Sequence, residues 1–252
     1  MKGLLAALFG LAGLLIPPAA GASNPDALWH VVHDLCVVDM RVSGLPAPCL
    51  MVDRRHGWAA LKDLRGKTQV LLIPTRRVTG IESPKLLEPG GPNYWRAAWD
   101  ARRFFEKRAG REVPRDDVGL AVNSMFGRSQ DQLHIHIDCV RPDVIAALAA
   151  HADEIGSEWA PLEVPLAGKR YRARRLEGSD LDGRDPFKLL AAENPGVRAD
   201  MGRQTLAVIG ATFAGGRPGF ILLTATGNTA ENPDGASEAL LDHECGVLAP
   251  SA

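Results

Sequence analysis

A chain of 252 residues, 46% of them hydrophobic, carries enough apolar material for one large domain or two small ones. Its 29 Lys and Arg nearly cancel 30 Asp and Glu, so the basic excess of a general nucleic-acid binder is missing and any cationic function must be local. No internal repeat is visible.

The chain opens with Lys2 and an apolar run over residues 4–16, then Pro17, Pro18 and small residues. A run of this length suits a signal-peptide core and falls short of the ~20 residues a membrane-spanning helix needs. Ala20-Gly21-Ala22 fits a small-residue cleavage site before Ser23, while an uncleaved segment carried through residue 22 approaches spanning length. Residues 1–22 are therefore expected to be a signal peptide or N-terminal membrane anchor, and residues 23–252 the exported domain. Four cysteines without a CxxC pair agree with an oxidising compartment and read as two disulfides. Cys36 and Cys49 are close in sequence, with Pro46 and Pro48 turning the chain between them; Cys139 and Cys245 then pair by elimination. The expected location is the periplasm or the periplasmic face of a bacterial inner membrane.

Residues 24–38 read as a helix with Leu28, Val31, Val32 and Leu35 on one stripe. His30 and His33 lie on it at i, i+3 spacing, but without further ligands they read as surface histidines rather than a metal site. Residues 58–61 and 69–73 read as two strands joined by the turn-rich stretch 63–67. Pro92 and Asn93 open a long helix with a 3.6-residue apolar period, closed by Gly110. Strands are expected at 118–122 and 132–139, flanking a polar loop at 123–131, followed by a helix from Pro142 to about residue 154. Beyond it, 169–176, 206–209 and 220–225 read as strands and 237–245 as a helix. The expected class is α+β, an antiparallel sheet with helices packed against it and a less regular C-terminal portion.

The chemistry concentrates at residues 123–138. In a strand, Gln132, His134, His136 and Asp138 project to one side and Leu133, Ile135 and Ile137 to the other, fixing two imidazoles about 7 Å apart. One imidazole can attack a phosphorus while neighbouring donors take up charge on its oxygens. A zinc site built from the two histidines and Asp138 is the rival, but no other zinc-hydrolase motif accompanies it. Arg170, Arg172 and Arg174 share one face if 169–176 is extended, forming either a stripe for anionic lipid phosphate or a charged edge strand.

Asn-Ser-x-x-Gly-Arg-Ser-Gln-x-Gln-Leu-His-Ile-His-Ile from Asn123, followed by Cys139-Val-Arg-Pro-Asp-Val, resembles the bacterial CDP-diacylglycerol pyrophosphatase family, a branch of the histidine-triad superfamily. Further segments join the resemblance in order: residues 69–74, 79–84, Pro92-Asn93, Trp99, Ala101-Arg102, Tyr171, 173–175, Pro186-Phe187, Met201-Gly202 and 242–245. The resemblance implies a histidine-triad-like sheet and hydrolysis of CDP-diacylglycerol, at a membrane surface, to CMP and phosphatidate, with no cofactor and no metal. The superfamily pattern is His-φ-His-φ-His-φ-φ, whose middle histidine forms a nucleotidyl-histidine. By position His134 is the nucleophile and His136 the third member, contacting the phosphate. Gln132 replaces the first histidine, its backbone carbonyl being able to orient the His134 ring. Ser129 matches a hydroxyl at the scissile phosphate, and Asn123 an amide near it. Arg128 is placed for diphosphate oxygens, and Arg77 stands where many relatives carry a histidine. The alternatives are a broader nucleotide hydrolase or nucleotidyl transferase, and a non-catalytic envelope protein that binds lipid or nucleotide.

Overall fold

The computed structural model describes residues 24–193 and 195–248, so the expected signal or anchor segment lies outside the described residues. Ten strands form one sheet: β1 Met51–Asp53, β2 Trp58–Lys62, β3 Val70–Pro74, β4 Val118–Val122, β5 Ile135–Val140, β6 Ala160–Pro161, β7 Arg172–Glu177, β8 Gln204–Phe213, β9 Arg217–Thr226 and β10 Leu241–Asp242. The order is β1-β2-β3-β5-β4-β8-β9-β7-β6, with β10 pairing the end of β5. All the pairings are antiparallel. The class is α+β, as the mixture of strand and helix periods implies.

The alternation of side chains sorts the sheet into two faces. On one face, Val70, Leu72, Leu120, Ile135, Ile137, Val208, Phe220 and Leu222 form the main core. A helix at Tyr94–Ala109 covers this face with Trp95, Ala98, Trp99 and Phe105. Its start is capped by Asn93, whose side chain accepts from the Arg96 amide at 3.1 Å, a contact worth ~1 kcal/mol. Gly110 ends it at φ 73°, a backbone conformation that glycine reaches without a Cβ penalty.

The other face has two separate covers. At the β1–β3 end, an N-terminal helix runs through Ala27–His30, a π-helical stretch Val31–Cys36, and Val37–Val42. It packs Leu28, Val32, Cys36 and Val37 on Val52, Ala59, Leu71 and Ile73. At the β8–β9 end, the helix Pro142–Ala150 packs Val144 and Leu148 on Ala207, Ile209, Ile221 and Leu223. Between the two covers, the same face of β5 presents His136 and Asp138, so the polar site fills the gap.

Several elements depart from the sequence reading. Leu35 is exposed while Cys36 is buried, because the wider π turn rotates the stripe by about one position. β5 begins at Ile135 rather than at Gln132. The buried Gln132 side chain instead donates to the carbonyls of Pro74 (2.8 Å) and Arg76 (3.0 Å), and accepts from the Val78 amide (3.2 Å). The helix after Pro142 stops at Ala150. The expected helix at 237–245 is a 3-10 turn, Glu238–Leu240, leading into β10. There β5 supplies ladder partners, Leu241 to Val140 and Asp242 to Cys139, and the Cys139–Cys245 disulfide fastens the same strap. The other cystine is Cys36–Cys49, the pairing read from the sequence.

Candidate active site

His134 immediately precedes β5 and is half-buried. Its Nδ1 lies 2.7 Å from the carbonyl oxygen of Gln132. A carbonyl only accepts, so Nδ1 carries the proton and Nε2 keeps its lone pair. Burial lowers the His134 pKa from its ordinary value, which favours this neutral ring.

His136 has the opposite tautomer. Its Nδ1 lies 3.0 Å from Gln69 Nε2, which also faces Asp63 Oδ2 and Glu238 Oε1. The two carboxylate oxygens around that nitrogen require it to be the donor end of the amide. Nδ1 of His136 therefore accepts, and its proton sits on Nε2, 3.5 Å from Glu238 Oε2. Burial, then the neighbouring His134, depress the His136 pKa to about 4. The two rings meet edge-on with centroids 4.9 Å apart, closer than the 7 Å strand repeat, because His134 lies ahead of the strand and turns back to Gln132.

A buried polar chain continues from His136. Glu238 Oε1 faces His243 Nε2 at 3.3 Å, and His243 Nδ1 faces Asp138 Oδ2 at 3.1 Å. Asp138 is fully buried and accepts from Thr68 Oγ1 (2.7 Å) and the Cys139 amide (3.0 Å). The hydrogen bonds to Asp138 and Glu238 raise the His243 pKa to about 10. Burial alone would raise Glu238, but the hydrogen bond and charge of His243 and the Asn123 amide outweigh it and hold Glu238 far below the carboxylate range. Sequence reasoning assigned no role to Asp63, Thr68, Gln69, Glu238 or His243. The Asp242-His243-Glu244-Cys245 string was the available signal for the last of these.

The other sequence candidates fall into two groups. Asn123 reaches the site through Glu238, accepting from its amide at 3.0 Å and donating to its Oε2 at 3.2 Å. Ser129 sits exposed on the loop between β4 and β5. That loop is held by Ser124 to Gly235 (2.9 Å), Met125 to Gly202 (2.8 Å) and Gln130 to Leu28 (2.8 Å). Gly127 in it has no room for a side chain, since an added Cβ would stand 2.5 Å from the Gly235 carbonyl.

The arginines are differently placed. Arg128, expected to meet diphosphate, is nearly buried and engaged bidentately by Glu82 (2.7 and 2.8 Å) and by Asp131 (3.1 Å). It organises the loop. Arg77 pairs with Asp26 and lies over the Trp29 ring, fastening the N-terminal helix. His136, Ala121, Ala207, Leu223 and Ala173 are successive partners across the sheet. Arg172 and Arg174, alternating with Ala173, therefore project from the opposite face, four strand spacings or about 19 Å away. Arg172 pairs there with Glu193, and Arg174 lies over Trp159. Arg170, two residues before Arg172, is exposed just ahead of β7. The arginine stripe exists but does not converge with the histidines. His30 and His33 each lean on Asp34, at 2.6 and 2.7 Å, on the exposed surface.

Donor atoms of Asp63, His136 and Glu238 lie within 4.8 Å of one another, the spacing of a metal centre. Gln69 Nε2 already stands among the three and bonds each of them. A cation would have to displace that buried amide. Asp138 likewise gains no metal-binding thiolate from Cys139 and Cys245, because both sulfurs are in a disulfide.

The family model described as CDP-diacylglycerol pyrophosphatase matches residues 23–249. A Yersinia pestis protein named CDP-diacylglycerol pyrophosphatase is 42% identical over 226 residues, covering 90% of this chain and 86% of that protein.

Proposed function

The chain belongs to the CDP-diacylglycerol pyrophosphatase family, and from that premise we propose that it hydrolyses CDP-diacylglycerol to CMP and phosphatidate with His134 as covalent nucleophile. The observation that carries the reading is the pair of complementary tautomers. His134 offers a lone pair at Nε2, and His136, beside it, offers a proton at its own Nε2.

In the first step His134 Nε2 bonds to the phosphorus next to cytidine, and the bond from that phosphorus to the bridging oxygen breaks. Phosphatidate leaves with the bonding pair. The positive charge that develops on the His134 ring is met by the Gln132 carbonyl through Nδ1–H. His136 Nε2–H donates to a phosphoryl oxygen, drawing the proton away from its long contact with Glu238. Ser129 supplies a hydroxyl at the loop edge. In the second step water attacks the same phosphorus, the P–N bond breaks, CMP leaves and the water proton passes to solvent. The histidine-triad assignment belongs to this proposal.

Presentation at a membrane surface belongs to it as well. Met125 and Phe126 on the loop that carries Ser129, and Leu64 next to Asp63, are exposed apolar tips. Two disulfides fit an exported chain. Among the described residues no helix is long and apolar enough to cross a membrane.

Substrate labelled on the phosphorus next to cytidine, quenched rapidly without acid, should leave label on His134 by peptide mapping. In oxygen-18 water the new oxygen should appear in CMP. Oxygen-18 in phosphatidate, or full turnover by His134→Ala, refutes the assignment.

A further inference from the structure

The catalytic reading uses His134, His136 and their immediate partners, and leaves unexplained a histidine lodged between two carboxylates at the end of the chain. His243 follows β10, whose register places Asp242 opposite Cys139. Two residues further on, Cys245 is bonded back to Cys139. The imidazole is thus held from both sides by β5, the strand that carries His136. Lys67 donates its amide to the His243 carbonyl at 3.2 Å, and Gly66 packs against the His243 Cβ where an added methyl would stand at 2.8 Å. Such bracing fixes a side chain for a geometric task.

We propose that His243 is a positioning residue for this reaction: bridging Asp138 and Glu238, it holds the Glu238 carboxylate beside His136 Nε2 and so reinforces the tautomer that Gln69 sets at Nδ1. The inference rests on the hydrolytic reading of the site. Glu238 has two oxygens with divided duties, Oε1 toward His243 and Oε2 toward His136 and Asn123. Without the bridge, Oε1 faces Gln69 Nε2 at 3.4 Å, a weaker and already shared donor. The carboxylate then rotates or takes up a proton, and Nε2 of His136 loses the negative charge that stands 3.5 Å from it before substrate arrives.

The groups facing His243 are Asp138 and His136 from β5 and Glu238 from the 3-10 turn, with Asp242 and Glu244 as chain neighbours; Lys62 at the end of β2 acts on Asp138, and Asp63 after it stands beside His136. Glu244 is engaged outward with Lys67 at 2.6 Å. Protonated His243 is the cation that touches both Asp138 and Glu238 among these described groups, since the Lys62 ammonium is bonded to the carbonyls of Asp63, Arg65 and Gly66. Removing it leaves Glu238 partly buried among acids, where desolvation and Asp63 favour its neutral form.

Two measurements test the proposal. Nitrogen-15 histidine NMR of the wild-type protein should show His136 protonated at Nε2 only, and His243 protonated at both nitrogens at pH 7.5. A wild-type spectrum with His136 protonated at Nδ1, or with His243 neutral, overturns the proposal whatever the kinetics. In His243→Gln, kcat should fall about 30- to 300-fold with KM within about threefold, the scale of a misoriented donor. The acid limb of its rate profile should move to higher pH by at least about one unit, because Glu238 regains a more ordinary pKa. A profile superimposable on the wild type, with a loss matching only the unfolded fraction in a melting curve, means a structural role and sinks the proposal. Absence of label on His134 with the NMR pattern intact instead overturns the covalent mechanism and leaves the His243 assignment standing.

Discussion

The two disulfides close loops of very different length, and their removal separates chain entropy from local packing. Cys139–Cys245 spans 106 residues and Cys36–Cys49 spans 13. Loop-closure entropy then assigns about 4.8 kcal/mol to the first and about 2.9 kcal/mol to the second at 25 °C. The two loops do not overlap in sequence, so the contributions should add. Cys139→Ala with Cys245→Ala should lower the melting temperature by about 10–19 °C, and Cys36→Ala with Cys49→Ala by about 6–12 °C. All four cysteines are buried, so alanine keeps the sites apolar. Guanidinium unfolding followed by tryptophan fluorescence measures both, with the slope expected to rise as the denatured chain loses its cross-link. The long-loop variant should also lose activity, because the strap that carries His243 then keeps only the two-residue β10 pairing and single hydrogen bonds such as Lys67 to the His243 carbonyl. Equal costs for the two pairs, or a cost under about 1 kcal/mol for the longer loop, would refute the loop-entropy reasoning.

Gln132→Ala strands the Pro74 and Arg76 carbonyls and the Val78 amide, and should cost about 2–3 kcal/mol. Its backbone carbonyl remains, so kcat of the folded protein should stay within about tenfold; a loss near that of His134→Ala would mean the side chain takes part in the chemistry. Stability should peak near neutral pH. His243, raised from 6.5 to about 10, contributes fully below 6.5 and its contribution is lost as pH climbs through 10. His136, depressed from 6.5 to about 4, makes the folded state lose ground as pH falls through that window. Melting curves from pH 4 to 10 should show both flanks, and His243→Gln should flatten the alkaline one. Hydrolysis should survive exhaustive chelation, because an amide rather than a cation joins Asp63, His136 and Glu238; loss on chelation with rescue by zinc would require Gln69 to move aside.

Local patterns carried much of this protein. The helix from Tyr94 to Ala109 was legible because its cap, apolar period and terminal glycine agree, and β4 because five apolar residues stand between turn signals. The alternation around His134 and His136, together with the surrounding string, was enough to point to phosphorus chemistry and to the family. The failures from residue 123 onward share one cause, since they depend on neighbours distant in the chain. Residues 237–245 carry a helical period, yet β5 and a disulfide draw them into a strap. Arg172 and Arg174 do share a face, but which face is set by cross-strand register from β5 to β7. Arg128 is free in sequence and committed in space, because Glu82 approaches from 46 residues away. The sequence by itself determined the neighbourhood of His134 and His136, the Cys36–Cys49 pairing and the α+β class, all of which rest on short-range periodicity and spacing, and left Cys139–Cys245 to elimination. Tertiary structure alone decided which tautomer His136 holds and which carboxylates stand behind it, because a buried proton is placed by whichever donors and acceptors the fold packs against it.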